Sequence, residues 1–326
     1  MAVRVGFIGT GGISKMHRRN LTQLPDVEIV ALCDVVEEKV QQAAQEHNAK
    51  AYTDYRKMLR KEDLNAVYVC LPPFAHGKIE DAVIKKGLHM FVEKPVHVDA
   101  RKAAALAKKI KDAGLITATG YQDRYLDIIE KLQGLLRERK PGMVMGYWMG
   151  GMPGVAWWRV KAQSGGQAVE QTTHIFDMCR YLFGEVAEVY AGGTKGLMAD
   201  VENYDIEDAS AVTLRFASGL VAVVFSACFL SVGNRGGLDI FCKDCFIEYK
   251  ERKSTTVHRK GAEPEQSVVE NNYQLAIDKA FIDAVRTGDA SQIKSPYADA
   301  VRSLQLSTAA NKSMETGKPV KIESLV

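Results

Sequence analysis

The feature that most constrains this chain is its opening: an apolar hexapeptide that runs straight into glycines. VRVGFI (3–8) is followed by Gly9-Thr10-Gly11-Gly12-Ile13-Ser14 and then by an amphipathic stretch. A strand apolar at nearly every position must be covered on both faces. A parallel sheet with helices on either side does this, whereas an antiparallel sheet with one wet face calls for alternation. The pattern recurs. VEIVALC (27–33), NAVYVCL (65–71), LHMFV (88–92) and LITATG (115–120) are further short apolar runs, separated by helical patterns at 12–24, 36–47, 74–86 and 99–113. Strands alternating with helices predict a doubly wound parallel sheet over residues 1–120.

The texture changes after residue 121. A helical stretch at 122–139 ends at Lys140-Pro141-Gly142, and longer segments of strand character follow at 143–151, 186–193, 207–217, 220–230, 238–242 and 245–250. A helix near 167–183 interrupts them, and helices at about 272–287 and 297–315 close the chain. Hairpin-like turns predict a large, mainly antiparallel sheet with helices on one face. Residues 121–326 are therefore read as a second, α+β domain. Which domain the last helices join is not legible at this level. The length of 326 residues, with 46% hydrophobic and 25% charged, suits two such domains.

Charge excludes little and demands nothing. The net charge is +3, and the most basic run, YKERKSTTVHRK (249–260), reads as a solvated hairpin or loop. The longest apolar run, 209–230, is interrupted by Arg215 and by Ser218-Gly219, so it reads as two strands and not a membrane span. Neither nucleic acid nor membrane is expected as a partner. No signal peptide is visible, and six scattered cysteines fit a reducing cytoplasm. Cys242-Lys-Asp-Cys245 spans a hairpin turn, and no second pair supplies the four ligands of a structural zinc site. No metal is expected.

The glycine run has a chemical reading. Gly9 permits a tight turn, Gly11 lets a pyrophosphate approach the backbone, and the following helix start offers amide donors through Gly12 and Ile13. Ser14 stands where the dinucleotide fingerprint has its third glycine. The second strand ends at Asp34, twenty residues beyond Ser14, where a carboxylate meets an adenosine ribose. No arginine follows it, and a carboxylate repels a 2′-phosphate, so NAD is expected over NADP. LPPFAHG follows the third strand, at the carboxyl end where ligands bind in such sheets. There His76 reads as a helix-start residue ahead of a catalytic one. FVEKPVH (91–97) then ends an apolar strand in a lysine set between a glutamate and a proline, and Pro95 restricts Lys94 to extended backbone.

Taken together these motifs resemble the Gfo/Idh/MocA oxidoreductases over nearly the whole chain. The glycine run, LPPFAH, Glu93-Lys94-Pro95, GYQDRY (120–125), the GG…H..D pattern at 165–177 and the tail SPYADAVRSLQLSTAANKSMETGKPVKI stand in that family's order. The resemblance implies NAD bound by Gly9, Gly11, Gly12, Ile13, Asp34, Leu71, Pro72, His76, Glu93 and Lys94. It implies that Lys94 projects beside the nicotinamide and the reacting hydroxyl. A lysine there donates to the substrate oxygen and stabilises developing negative charge. In GGQAVEQTTHIFD, Glu170, His174 and Asp177 are spaced i, i+4 and i+7, one face of a helix if the segment is helical. His174 is the expected general base and Glu170 its tuning carboxylate. Asp177 is supporting. The family's commonest pattern has aspartate where this chain has Glu170.

Substrate contacts are expected from Lys94, His174, Tyr121, Gln122 and Arg124, and from Trp157, Trp158 and Arg159 in VAWWRVKAQSGG (155–166), where the two tryptophans read equally well as packing residues. The expected reaction moves a hydride between nicotinamide and a hydroxyl carbon of a polyol, cyclitol or sugar derivative. Relatives that use similar residues as NAD-retaining glycosidases, or as sensors without turnover, form the alternative readings. The resemblance also implies a homodimer or homotetramer formed through the large sheet.

Overall fold

The computed structural model describes residues 2–326. Its chain divides into two compact units, one holding the sequence through Tyr125 with Asn272–Val301 and Val326, the other Leu126–Asn271 with Arg302–Leu325.

The first unit is built on six parallel strands. They are β1 (Val3–Ile8), β2 (Val27–Cys33), β3 (Lys50–Tyr52), β4 (Ala66–Val69), β5 (His89–Val92) and β6 (Thr117–Thr119). Helices α1 (Gly12–Leu21), α2 (Glu37–Glu46), α3 (Tyr55–Lys61), α4 (Lys78–Lys85) and α5 (Ala100–Asp112) connect them. The strand order is β3-β2-β1-β4-β5-β6. It reverses direction between β1 and β4, which is where such sheets open a crevice for ligands. The apolar runs are buried as their composition requires: all four residues of β4 are buried, and Val5 and Phe7 of β1 are fully so.

Two elements of this unit escape the sequence reading. The strand β3 and helix α3 are short and carry no strong periodicity. The predicted helix at 74–86 starts later than expected. Pro73–Ala75 forms a 3-10 turn, and Gly77, at φ 112°, separates it from α4. The reach of the unit is wider than residues 1–120. Helix α10 (Tyr273–Thr287) contributes Ile277 and Phe281 to the same buried cluster as Phe7, Tyr68 and Phe91. Phe281 meets both Tyr68 and Phe91 edge-on, at ring separations of 5.5 and 5.7 Å.

The second unit holds α6 (Asp127–Arg137), β7 (Pro141–Met149), α7 (Lys161–Ser164), α8 (Gln167–Glu170), α9 (Thr173–Phe183), β8 (Val186–Thr194), β9 (Ala209–Phe216), β10 (Val221–Ala227), β11 (Arg235–Cys242), β12 (Cys245–Lys250), β13 (Ser254–Arg259) and β14 (Glu265–Val268). Helix α11 (Tyr297–Thr316) and β15 (Val320–Lys321) follow α10. The nine-stranded sheet runs β14-β13-β12-β11-β7-β10-β9-β8-β15. Only β7 and β10 pair in parallel; every other neighbour is antiparallel. Strands β13, β14 and β15 were not assigned from sequence; β13 lies inside the basic run, in a hairpin with β12.

Period-two alternation sets the faces of this sheet. Val144, Val212, Leu214, Val224, Leu238, Ile240 and Ile247 are fully buried. Gly146 lets α9 come close: a Cβ there would lie 2.8 Å from Ile175 Cγ2. That approach positions α9 on the sheet.

The predicted single helix at 167–183 is corrected by the structure. It is two helices, α8 and α9, with a break at Gln171 and Thr172. The Thr172 amide donates to the Gln167 carbonyl, five residues back, at 2.9 Å. One extra residue thus enters the turn, beside the β-branched pair Thr172-Thr173, which is stiff in a helix. Glu170 therefore does not share one continuous helix with His174 and Asp177. Those two remain one turn apart on α9. Among the described residues no helix is long and apolar enough to cross a membrane.

Candidate active site

The glycine loop closes the crevice end of β1. Gly9 has φ 95°, and a Cβ on it would lie 2.1 Å from the Cys70 carbonyl oxygen, so this position requires glycine. Gly11 caps α1 without any side-chain bond to the helix start. The first amides of α1 are therefore available as donors with the positive dipole end behind them. A Cβ added at Gly11 or Gly12 would meet nothing within 4 Å, so both glycines face open space that a side chain would fill. Ile13 is 38% exposed beside them.

Asp34 sits at the end of β2 and braces this loop. Its Oδ2 accepts from the Thr10 amide and the Thr10 hydroxyl, both at 2.8 Å, and its Oδ1 accepts from the Val36 amide at 3.0 Å. Val35 beside it is 89% exposed. Open glycines at a helix start, with an acid at the second strand's end, fit the pyrophosphate and ribose of a bound NAD.

Lys94 leaves the carboxyl end of β5 across a cis bond to Pro95. Its backbone amide donates to Glu93 Oε2 at 3.1 Å. Glu93 is 5% exposed, and its Oε1 lies 3.0 Å from His17 Nε2. A Cβ on Gly120 would sit 2.3 Å from that same oxygen, so the residue after β6 is a glycine where the carboxylate needs room. His17 Nδ1 faces Asp278 Oδ1 at 2.7 Å. Burial alone would lower the pKa of His17, but Asp278, with Glu93 adding to it, outweighs burial and raises it to about 10. His17 and Asp278 were not singled out from sequence. The signal was a histidine on the inward face of α1, which by itself is an ordinary core residue.

Beyond β5, His97 Nδ1 accepts from the Asp99 amide at 2.9 Å, and burial holds its pKa below the ordinary value. His76 is buried. Its Nδ1 pairs with Glu80, and its Nε2 lies 3.2 Å from the carbonyl of Leu71. Leu71 and Pro72 are half-buried at the carboxyl end of β4.

The remaining residues expected around the substrate fall into two groups. In the first unit, Tyr121 is 1% exposed and Gln122 is half-buried. The Arg124 guanidinium donates to the Lys294 carbonyl and pairs with Asp299, each at 2.6 Å. In the second unit, Trp158 is fully buried with Ile206 and Cys228, and half-buried Trp157 packs on that cluster. Arg159 donates to the Glu202 carbonyl at 3.3 Å.

His174 is the second residue of α9 and is 7% exposed. Its ring stacks on Trp148 of β7, with centroids 5.3 Å apart and planes 20° from parallel. Trp148 and Gln171 line a cavity of about 540 Å³ that also takes in Gly150, Asn234, Arg235 and Gly236. Sequence reasoning missed Trp148; an inward-facing aromatic in a strand reads as core. The Glu170 carboxylate accepts the Trp158 indole N–H at 2.7 Å. Asp177 accepts the Ser303 hydroxyl at 2.6 Å, which fixes α9 to α11.

The fold and the glycine loop define the class: a dinucleotide-binding oxidoreductase. Two domain models agree and cover more than two thirds of the chain, "Oxidoreductase family, NAD-binding Rossmann fold" over residues 3–121 and "GFO/IDH/MocA C-terminal domain" over 140–248. The chain belongs to the Gfo/Idh/MocA oxidoreductase family. Among its relatives, a myo-inositol 2-dehydrogenase of Thermotoga maritima is 27% identical over 99% of this chain and 100% of its own length. A scyllo-inositol 2-dehydrogenase (NAD(+)) of Bacillus subtilis is 24% identical over 98% and 96%. In fold, the chain is similar to the solved structure of a levoglucosan dehydrogenase in complex with NADH, with a TM-score of 0.88 at 18% identity over 99% and 100% of the two chains.

Proposed function

We propose that this protein is an NAD-dependent dehydrogenase of a polyol, cyclitol or sugar derivative. The observation that carries the reading is Lys94 at the carboxyl end of β5, with its amide held by a buried carboxylate. That is the strand end at which such sheets bind ligands. When bound, NAD supplies the hydride acceptor. The ammonium of Lys94 donates a hydrogen bond to the reacting oxygen and stabilises negative charge there. The imidazole of His174 takes the hydroxyl proton as the C–H bond gives up its hydride and a carbonyl forms. Trp148 keeps that ring in one plane, and Glu170 tunes it. Gln122, Trp157 and Arg159 contribute substrate contacts; Tyr121, Arg124 and Trp158 are buried and are given none.

NAD is favoured over NADP because the Asp34 carboxylate would lie against a 2′-phosphate. The relatives that act on inositols support the substrate class. The free cysteines support a cytoplasmic setting.

The test mixes purified protein with NAD or NADP and a panel of cyclitols, sugars and sugar acids, following reduced nicotinamide by absorbance. Turnover with one compound class and NAD is expected. Silence from protein that binds NAD, with cleavage of a chromogenic glycoside, would replace this reading with the glycosidase one. Lys94→Ala is expected to abolish turnover and keep NAD affinity within several-fold. Retained turnover would remove Lys94 from the mechanism.

A further inference from the structure

Three ionisable side chains in the first unit form a line that the reaction above does not use: Asp278 of α10, His17 of α1 and Glu93 of β5. They are 0%, 1% and 5% exposed. His17 Nδ1 meets Asp278 Oδ1 at 2.7 Å, and its Nε2 meets Glu93 Oε1 at 3.0 Å. Ionised carboxylates can only accept, so the ring donates from both nitrogens and carries a positive charge. Asn20, one turn on along α1, donates to Asp278 Oδ2 at 2.8 Å and fills that carboxylate's other side. Tyr68 and Phe91 wall the ring at 5.3 and 4.7 Å between centroids. The line ends at the reaction's lysine, because Glu93 Oε2 receives the Lys94 amide at 3.1 Å.

Such a triad is an expensive way to hold two helices to a sheet. Each buried ion carries a desolvation penalty, and apolar side chains of similar volume often do as well or better. Its geometry does something apolar packing does not. Glu93 has three rotatable bonds between its backbone and its carboxyl group, and a carboxylate without His17 could turn away from the Lys94 amide. Gly120 leaves space on one side, His17 fixes the other, and the carboxylate keeps one orientation. Its negative charge, beside the lysine, is offset by the imidazolium.

We propose that His17 is a positioning residue for Lys94, acting through Glu93: it holds the Glu93 carboxylate on the Lys94 amide and offsets the field that carboxylate exerts on the lysine. The catalytic consequence rests on the reading of Lys94 given above; the positioning itself does not.

The test is competitive labelling of Lys94 with isotopic acetic anhydride, read by mass spectrometry against exposed lysines such as Lys108. His17→Gln alone would leave two buried anions with no cation between them and is at risk of not folding. The double variant His17→Gln with Asp278→Asn keeps the net charge of the triad and places it on Glu93. An uncompensated Glu93 stabilises the ammonium, so Lys94 is expected to label about threefold more slowly or slower still, half a pKa unit in the amine. Exposed lysines should label unchanged, and NAD affinity should stay within about twofold, well under 1 kcal/mol of binding energy. Unchanged labelling of Lys94 in the folded variant would overturn the proposal. So would a loss of NAD affinity in step with the labelling, which is what a merely structural triad would give.

Should the double variant fail to fold, Glu93→Gln serves in its place. It keeps one oxygen acceptor, turns the other position into an amide donor and removes the anion, so Lys94 should label faster; an unchanged rate overturns the proposal here too. Turnover by Lys94→Ala is scored separately. If that variant stays active while the labelling shifts as expected, the positioning stands and the catalytic reading of Lys94 falls.

Discussion

At the scale of single residues, the Asp34 carboxylate braces the glycine loop, and the function proposed above gives it a second job, the exclusion of a 2′-phosphate. Three donors from Thr10 and Val36 already converge on it. A carboxylate has about four lone-pair directions, so one remains for a ribose hydroxyl. The bracing job needs an oxygen acceptor, whereas the exclusion of a 2′-phosphate needs the negative charge. Two substitutions separate them. Asp34→Asn keeps an acceptor for the Thr10 groups and removes the charge, and it is expected to improve NADP affinity while NAD affinity falls by less than about tenfold, or 1.4 kcal/mol. Asp34→Ala removes both functions, and NAD affinity should fall further than in Asp34→Asn. Fluorescence titration with each nucleotide measures this. An Asp34→Asn protein no better with NADP than the parent would refute the charge argument.

At the scale of elements, legibility followed periodicity and distance along the chain. The strands of the first unit were readable because burial on both faces demands unbroken apolar runs. The strand-end positions of Asp34 and Lys94 were readable because each follows such a run. The break between α8 and α9 was not, since Glu170, His174 and Asp177 have helical spacing whichever turn the backbone takes. Trp158 illustrates the opposite error: an aromatic residue in a loop suggests a sugar contact, yet it is fully buried, with its indole N–H on Glu170. Least legible of all was the tie between α1, β5 and α10, where residues 17, 93 and 278 meet only through folding.

That tie predicts a pH effect on stability. Tyr68, Phe91, Glu93 and Asp278 surround His17, and against the lowering effect of burial the two carboxylates raise its pKa from the ordinary 6.5 to about 10. A raised pKa means that the folded state holds the proton more tightly than the unfolded one. The stabilisation is therefore complete below about pH 6.5 and is lost as pH rises towards 10. The melting temperature should fall between about pH 7 and 10, and more steeply than in the His17→Gln, Asp278→Asn variant. Parallel melting curves for the two proteins over that range would count against a charged His17.

At the scale of the whole molecule, the nine-stranded sheet leaves one of its faces unexplained. Alternation puts Val221, Val223 and Phe225 of β10 on the side opposite the buried Ala222 and Val224, and on β7 it puts Met143, Met145 and Tyr147 opposite Val144. Phe241 and Phe246 continue the surface across β11 and β12, stacked at 5.1 Å. Val221 is 41% exposed, Met143 45% and Tyr190 51%. An apolar patch of this kind marks an interaction surface. Six of its charged residues are paired within it, Arg235 with Asp239 at 2.5 Å, Lys250 with Glu248 at 3.1 Å and Arg215 with Glu188 at 3.3 Å, and Lys321 of the edge strand β15 adds one positive charge beside Glu188. A face that is apolar and nearly neutral offers little charge for an oppositely charged partner to match, but it meets a copy of itself with little repulsion, as a two-fold interface requires. We therefore expect light scattering to give two or four times the chain mass of 35.9 kDa. Val223→Glu would place a carboxylate amid Met145 and Phe225, where a facing copy would bury it unpaired, and it should shift the protein to single chains. A parent protein that already runs as one chain at micromolar concentration, or an assembly indifferent to Val223→Glu and Met145→Glu together, would mean that this face is not where copies meet.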